Sequence, residues 1–435
     1  MIYPTRRLVG LAALATLLAF AALVAAWLVP IAWIALAIVG ALALIDGRAS
    51  ARQPAPRLER ELPQRARVRE PLTVRYRLSL TGTRAAAALL DELPADLGGD
   101  YAQGPLTLGD EPLAIERTVV PERRGVRPLG PLLIDVRSPL GLFDRRHRSG
   151  GEQALAVYPA DVIAGGHGPR SRKLRDDLGL RPRRQRGEGS EFESLREYTP
   201  DDEPRRIDWR ASARARRPVV RQLQIERHHT VIVAVDTGRL MSSQIEGLSK
   251  LDHALGATVG LIRASARSQD RIGFLAFDRE LSAWVPPQPT KRALAAILEA
   301  TLALQARPSE SSYRTLAEAL QQRQKKRALL VVLTDFVEGA AAAELQAYLA
   351  SLASRHAVLL VGLRDRLLRE LDRAEPAIAG QALFRRLALQ DLDAARDVAF
   401  SHIARSGVHT LDLDPAAITG PLLDRYLQIR EAEFG

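Results

Sequence analysis

Two aspartates stand where an open α/β sheet usually does its chemistry. Asp236 closes the apolar run at residues 231–235, and Asp335 follows a second run at 328–334. Continuous apolar runs of this length read as strands buried on both faces of a parallel sheet. Ligands of such sheets bind beyond the carboxyl ends of the strands. Two carboxylates converging there suit a hard cation such as Mg²⁺, which takes a few protein oxygens and keeps its waters. Each aspartate serves equally well as the cap of a following helix, accepting backbone N–H bonds. Spacing alone leaves both roles open.

Other chemistries find little support. The residues after Asp236 (Thr237, Gly238, Arg239, Leu240) form neither a dinucleotide fingerprint nor a phosphate-binding P-loop. The nucleophile elbow of the hydrolases is absent as well. His228 and His229 are adjacent, and consecutive strand residues point to opposite faces, so one site seldom uses both. With no cysteine in the chain, thiol catalysis, disulfides and Cys-based zinc sites are excluded. The net charge of +11 is spread through the whole chain, which reads as solvated surface and membrane-side attraction rather than a nucleic-acid footprint. The alternative, phosphate binding by the arginine-rich run Arg181–Arg186, stands second to a solvated loop.

A denser segment lies between residues 189 and 214, where acids, arginines and aromatics alternate. Phe192, Arg196, Tyr198, Arg206, Asp208, Trp209 and Arg214 are its candidate contact residues. A tryptophan in so polar a stretch is expected to be an anchor, docked on a domain or on a partner. Trp209 and Tyr198 are the expected anchors of an interdomain joint, with Arg196, Asp208 and Arg214 as polar locks.

These residues need elements to position them, and a chain of 435 residues is too long for one core. Residues 8–45 carry no charge at all. That run is about twice what one membrane-crossing helix needs, which is roughly 20 residues. Pro30 lies near the middle between Trp27 and Trp33, so a hairpin with spans at about 8–28 and 31–45 is expected. Arginines flank both outer ends, which places those ends in the cytoplasm by the positive-inside rule. A linker at 48–63 leads to alternating apolar residues (Leu72, Val74, Tyr76, Leu78, Leu80) and further short strands, the pattern of a small β-sandwich over 64–160. The arginine-rich loop and the charged segment occupy 161–226. From 227 to 435 apolar strands alternate with helices, one marked by Leu248, Leu251, Leu255, Val259 and Ile262. That alternation implies a doubly wound parallel sheet. The fold class is thus multidomain: two transmembrane helices, a β-sandwich and a C-terminal α/β domain.

One resemblance spans the chain. Gly189, Glu191, Phe192, Leu195, Arg196 and Tyr198, then Arg206, Ile207, Asp208, Trp209, Ser212, Ala213 and Arg214, resemble the signature of the bacterial domain-of-unknown-function 58 family. Arg124-Gly125, Leu129-Gly130-Pro131 and the stretch from Pro139 to Phe143 resemble it too. The chain departs from the family pattern at Asp201-Asp202, where Gly-Asp is usual, and at Ser138, where Asp is common. The resemblance implies a C-terminal domain similar to the von Willebrand factor type A fold, which often holds a divalent cation through Asp-x-Ser-x-Ser, a distant Thr and a later Asp. Asp236 and Asp335 match the two aspartates. Gly238 and Leu240 stand at the serine positions, and Thr315 lies near the expected threonine, so the metal site is degraded and no cofactor is expected. The resemblance also implies a MoxR-type AAA+ ATPase as partner. The chain would be a non-enzymatic adaptor in the bacterial inner membrane that presents an unknown client protein to that ATPase. Two alternatives remain: a divalent-metal-dependent hydrolase or adhesion-type module using Asp236 and Asp335, and a nucleic-acid-binding protein using Arg181–Arg186.

Overall fold

The computed structural model describes residues 1–149, 153–160, 191–199, 207–224, 229–268, 270–336, 340–364 and 379–434. The chain divides into two units, Met1–Tyr158 and Pro159–Gly435.

The first unit begins with a short strand, β1 (Ile2–Pro4), and two apolar helices, Arg6–Ala21 and Val29–Arg52. Pro30 sits in the first turn of the second helix, where its missing N–H costs nothing. That helix has 24 residues and is long and apolar enough to cross a bilayer. Its length is roughly 36 Å. It continues past the expected end of the span at 45, absorbing Asp46, Arg48 and Arg52. The first helix has 16 residues. At roughly 24 Å it is shorter than a hydrocarbon core of roughly 30 Å. Both helices leave large apolar side chains open, among them Leu14, Ile34 and Trp33.

The remaining strands of this unit are β2 (Arg57–Glu61), β3 (Arg65–Arg67), β4 (Leu72–Ser79), β5 (Ala85–Asp91), β6 (Tyr101–Leu108), β7 (Leu113–Val119), β8 (Gly125–Leu129), β9 (Leu132–Arg137), β10 (Phe143–Ser149) and β11 (Gln153–Tyr158). They form three sheets, β1-β10-β9-β5-β6, β3-β11-β8 and β2-β4-β7, rather than the two of a simple sandwich. In β4 the alternation is strict: Leu72, Val74, Tyr76 and Leu78 are buried and the residues between them are not. One buried polar network ties the three sheets. Arg60 on β2 donates to Asp91 on β5 at 2.7 Å, to Gln153 on β11 at 2.9 Å and to the Gly130 carbonyl at 2.9 Å. Tyr76 donates to the other Asp91 oxygen at 2.7 Å.

A short loop, 138–143, receives both helices. Asp46 is fully buried; its carboxylate accepts from the Leu140 and Leu142 amides at 2.8 and 2.9 Å and from the Ser138 hydroxyl. Thr5, just before the first helix, donates its hydroxyl to the Gly141 carbonyl at 2.7 Å and its amide to the Leu142 carbonyl at 2.8 Å. Gly141 takes φ +72, a left-handed conformation that glycine adopts freely. Arg145 donates to the carbonyls of Ser50, Ala51 and Gln53 and so closes the C-terminal end of the second helix.

Among the described residues of the second unit, β12 (Glu191–Glu197) and β13 (Val219–Gln224) form an antiparallel pair outside the main sheet. Then come β14 (Thr230–Asp236), the two-residue strands β15 (Gln244–Ile245) and β16 (Leu248–Ser249), β17 (Arg271–Phe277), β18 (Leu281–Pro289), β19 (Leu329–Thr334), β20 (Ala357–Leu363) and β21 (His409–Leu413). The main sheet has the order β18-β17-β14-β19-β20-β21, parallel except for the antiparallel edge strand β18. Alternate residues feed two cores. Val231, Val233 and Val235 pack with the helices Lys250–Ser265, Thr290–Ala303 and Thr419–Phe434, while Ile232 and Ala234 pack with Tyr313–Arg323, Ala340–Ala353 and Ala379–Arg405. Helices cover both faces, and the chain reverses its direction of winding between the neighbouring strands β14 and β19. Ligands of such sheets bind at this switch point.

Candidate functional site: the carboxyl edge of the parallel sheet and the signature helix

Three carboxylates follow three adjacent strands: Asp278 after β17, Asp236 at the end of β14 and Asp335 after β19. Asp236 is fully buried. One of its oxygens accepts from the Gly238 amide at 2.7 Å and from Ser311 at 2.6 Å; the other accepts from Thr334 at 2.5 Å. All three donors are neutral. Burial pushes this carboxyl up to about 6, against the pull of the three hydrogen bonds and with the Asp335 charge adding to the rise.

Asp335 is met by charge instead. Lys250, the first residue of its helix and only 2 % exposed, donates from Nζ to Oδ2 at 2.6 Å. Arg396 donates to Oδ1 at 2.8 Å, and the Phe336 amide caps the same oxygen at 2.9 Å. Arg396 also reaches Asp412 at 3.0 Å and lies over the rings of Phe336 and Phe400. Gly362 leaves room for this: a Cβ there would lie 2.4 Å from Phe400 and 3.0 Å from the Arg396 guanidinium. Asp278, also buried, accepts from the Glu280 amide at 2.9 Å and from Ser309 at 3.3 Å, with Arg307 at 3.5 Å.

The strands of Asp236 and Asp335 are therefore adjacent, and Thr334 is shared, since it donates to Asp236 and lies 3.2 Å from the Asp335 carbonyl. Every oxygen of the two carboxylates already accepts from a protein group. A divalent cation would have to displace Lys250 or strip the hydroxyls from Asp236, so the arrangement as it stands does not fit one. No group of three metal-ligating side chains occurs among the described residues. Gly238 explains the missing serine. A Cβ at this position would lie 2.2 Å from the Ser311 oxygen, so the hydroxyl comes from the distant loop instead. Thr315, which the sequence placed near the threonine position, binds the Arg279 carbonyl at 3.0 Å. Ser311, Thr334 and Lys250 are the site residues that sequence reasoning missed. Only the Lys250 position carried a signal, a cation at the start of a helix, where the macrodipole disfavours one.

The signature segment builds a small rigid module. Asp208 caps the helix Trp209–Ala215, its carboxylate accepting from the Arg210 and Ala211 amides at 3.1 and 3.0 Å. Ser212 donates to the Asp208 carbonyl at 2.8 Å and accepts from the Val219 amide at 2.9 Å, tying the helix to β13. Ile207 bridges Val220, and the Tyr198 amide bonds the Pro218 carbonyl at 3.0 Å. Trp209 is 70 % exposed, so its ring is not docked within this chain. The first turn of this helix points outward because Ala211 and Ser212 take the buried side, leaving Trp209 and Arg210 on the other. Arg214, Arg216 and Arg217 are exposed around it, and Arg217 pairs with Glu197 at 3.2 Å. Tyr198 is half-buried. Phe192 and Arg196 lie on β12, where only the backbone is described, and Arg206 and Arg181–Arg186 lie outside the described residues.

Comparison with known proteins gives relatives of no stated activity. Uncharacterized proteins of Mycobacterium tuberculosis and Mycobacterium bovis are 26 % identical over 192 residues, 44 % of this chain. The chain spans 58 % of the length of these curated relatives. Among solved structures, an aerotolerance-related membrane protein from Bacteroides fragilis matches 46 % of this chain and 97 % of its own at 15 % identity and TM-score 0.31. A conserved hypothetical protein, BatB, from Bacteroides thetaiotaomicron matches 47 % and 99 % at 14 % identity and TM-score 0.32. Residues 194–382 match the model of a family described as "Protein of unknown function DUF58". Over that stretch, which takes in Asp208, Trp209, Asp236 and Asp335, this chain is similar to that family.

Proposed function

We propose that this protein is a membrane-anchored, non-enzymatic adaptor whose second unit is of the von Willebrand factor type A kind. In this reading the two N-terminal helices form a two-pass hairpin in a bacterial inner membrane, with both soluble units in the cytoplasm. A MoxR-type AAA+ ATPase engages the second unit, and a client protein is assembled or activated as a result. The observation that carries the reading is the exposed Trp209 on a helix held rigid by Asp208 and Ser212. A large aromatic held outward at low entropy cost is the kind of residue that dominates binding energy at protein contacts. Supporting it, the carboxyl edge where an α/β enzyme holds substrate is filled by Lys250, Arg396, Ser311 and Thr334. Supporting the topology, Thr5 and Asp46, at opposite ends of the hairpin, bind one loop.

The test is photo-cross-linking in intact membranes from a benzophenone side chain placed at Ala213, beside Trp209. A discrete adduct with an ATPase subunit, lost in Trp209→Ala, is the expected result. Adducts unchanged by Trp209→Ala would sink the reading.

A further inference from the structure

The pairing of Lys250 with Asp335 is costly on two counts. Lysine is among the residues least often buried. The N-terminal turn of a helix also carries the positive end of the macrodipole, which repels a cation. Lys250 is the first residue of the helix Lys250–Ser265 and is 2 % exposed. The helix start is otherwise well made, with Ser249 and Asp252 forming a reciprocal capping box. The position is thus a sound helix start that holds the wrong charge for a helix start.

The opposing charges account for it. Asp335 is nearly buried and Asp236 fully so, on the neighbouring strand. The Asp335 charge adds to the cost of ionising Asp236. Lys250 meets Asp335 Oδ2 at 2.6 Å, Arg396 meets Oδ1 at 2.8 Å, and Arg364 covers the Asp412 that Arg396 also touches, at 3.1 Å. Lys250 and Arg396 together bring the two positive charges that a divalent ion would bring. Ser311 and Thr334, the hydroxyls beside Asp236, are oxygens of the kind such an ion would take.

We propose that the Lys250 ammonium is the resident cation of this carboxyl edge, tethered in the place of a divalent metal ion. The second unit then keeps its carboxyl-edge geometry at any divalent concentration. The charge balance of this one buried site holds whether or not the protein is an adaptor.

Replacing the tether tests it. The full chain, purified in detergent, is titrated with MnCl₂ by calorimetry as wild type, as Lys250→Met and as Lys250→Met with Asp335→Asn. Methionine keeps the apolar stem and removes the charge. The expected result is one additional saturable Mn²⁺ site per chain in Lys250→Met, lost again in the double variant. A folded Lys250→Met chain that binds no more Mn²⁺ than the wild type overturns the proposal. If Lys250→Met does not fold in a chelator, circular dichroism decides: recovery of the folded signal with MnCl₂ supports it, and an unfolded chain with and without MnCl₂ overturns it.

Discussion

Asp46, near the C-terminal end of the long apolar helix, is hydrogen-bonded to the hydroxyl of Ser138, at the start of the loop that leads into β10. With the Leu140 and Leu142 amides, the hydroxyl gives a fully buried carboxylate three donors. Asp46→Ala leaves those donors without an acceptor, at about 1–3 kcal/mol each before relaxation. The expected outcome is faster proteolysis within residues 138–143 and a lower unfolding temperature for the first unit. Ser138→Asp replaces a donor with a second carboxylate against Asp46 and is expected to destabilise as well. Limited proteolysis of both variants in detergent checks the pair.

Asp208 and Trp209 separate stability from contact. Asp208→Ala removes an N-cap and is expected to cost about 1 kcal/mol. Trp209→Ala removes an exposed ring and is expected to change stability by less than about 0.5 kcal/mol. Urea unfolding of the two variants beside the cross-linking yield gives the contrast: Asp208→Ala lowers the first, Trp209→Ala the second.

Asp236 sets a pH dependence. Its carboxyl rises from 3.8 to about 6 in the folded protein, so the folded state holds a proton that the unfolded chain has released. The stability from this proton is full below about pH 4 and is lost as pH rises through about 6. A rise of this size corresponds to roughly 3 kcal/mol. Asp236→Asn is expected to flatten the difference in urea midpoint between pH 4.5 and pH 7.5.

In the first unit, Arg60→Met strands the buried Asp91 carboxylate with Tyr76 as its remaining side-chain donor. Breaking a buried pair from one side costs about 3–5 kcal/mol. Arg60→Met together with Asp91→Leu removes both charges and is expected to recover much of that loss. Calorimetric melting of the single and double variants reads the recovery.

The alternation in β4 and the apolar runs of β14 and β19 were legible because burial on one face or on two leaves a periodicity of its own. Asp236 and Asp335 were legible for the same reason, as the acidic residues that follow such runs. Ser311 was not, since it reaches Asp236 from a distant loop; Lys250 showed only as a cation at a helix start, with no trace of its partner, and Thr334, beside Asp335 in sequence, meets Asp236 on the neighbouring strand. Polar surroundings in sequence do not force a dock for Trp209, because Ala211 and Ser212 hold the buried side of that helix. The second apolar helix runs on past Asp46 because that carboxylate finds its donors across space, in the loop at 138–143.

The loop at 138–143 also has a mechanical meaning. Thr5 and Asp46 fasten to it from the two ends of the helical pair, and Arg145 holds the last carbonyls of the longer helix. A pull on the β-stranded body is therefore carried to the apolar helices by several short hydrogen bonds loaded in parallel. The covalent connection at residues 53–56 runs beside those bonds, and Gln53 at its start is itself held by Arg145. The helical pair and the strands are thus coupled stiffly at both ends of the pair rather than through a tether.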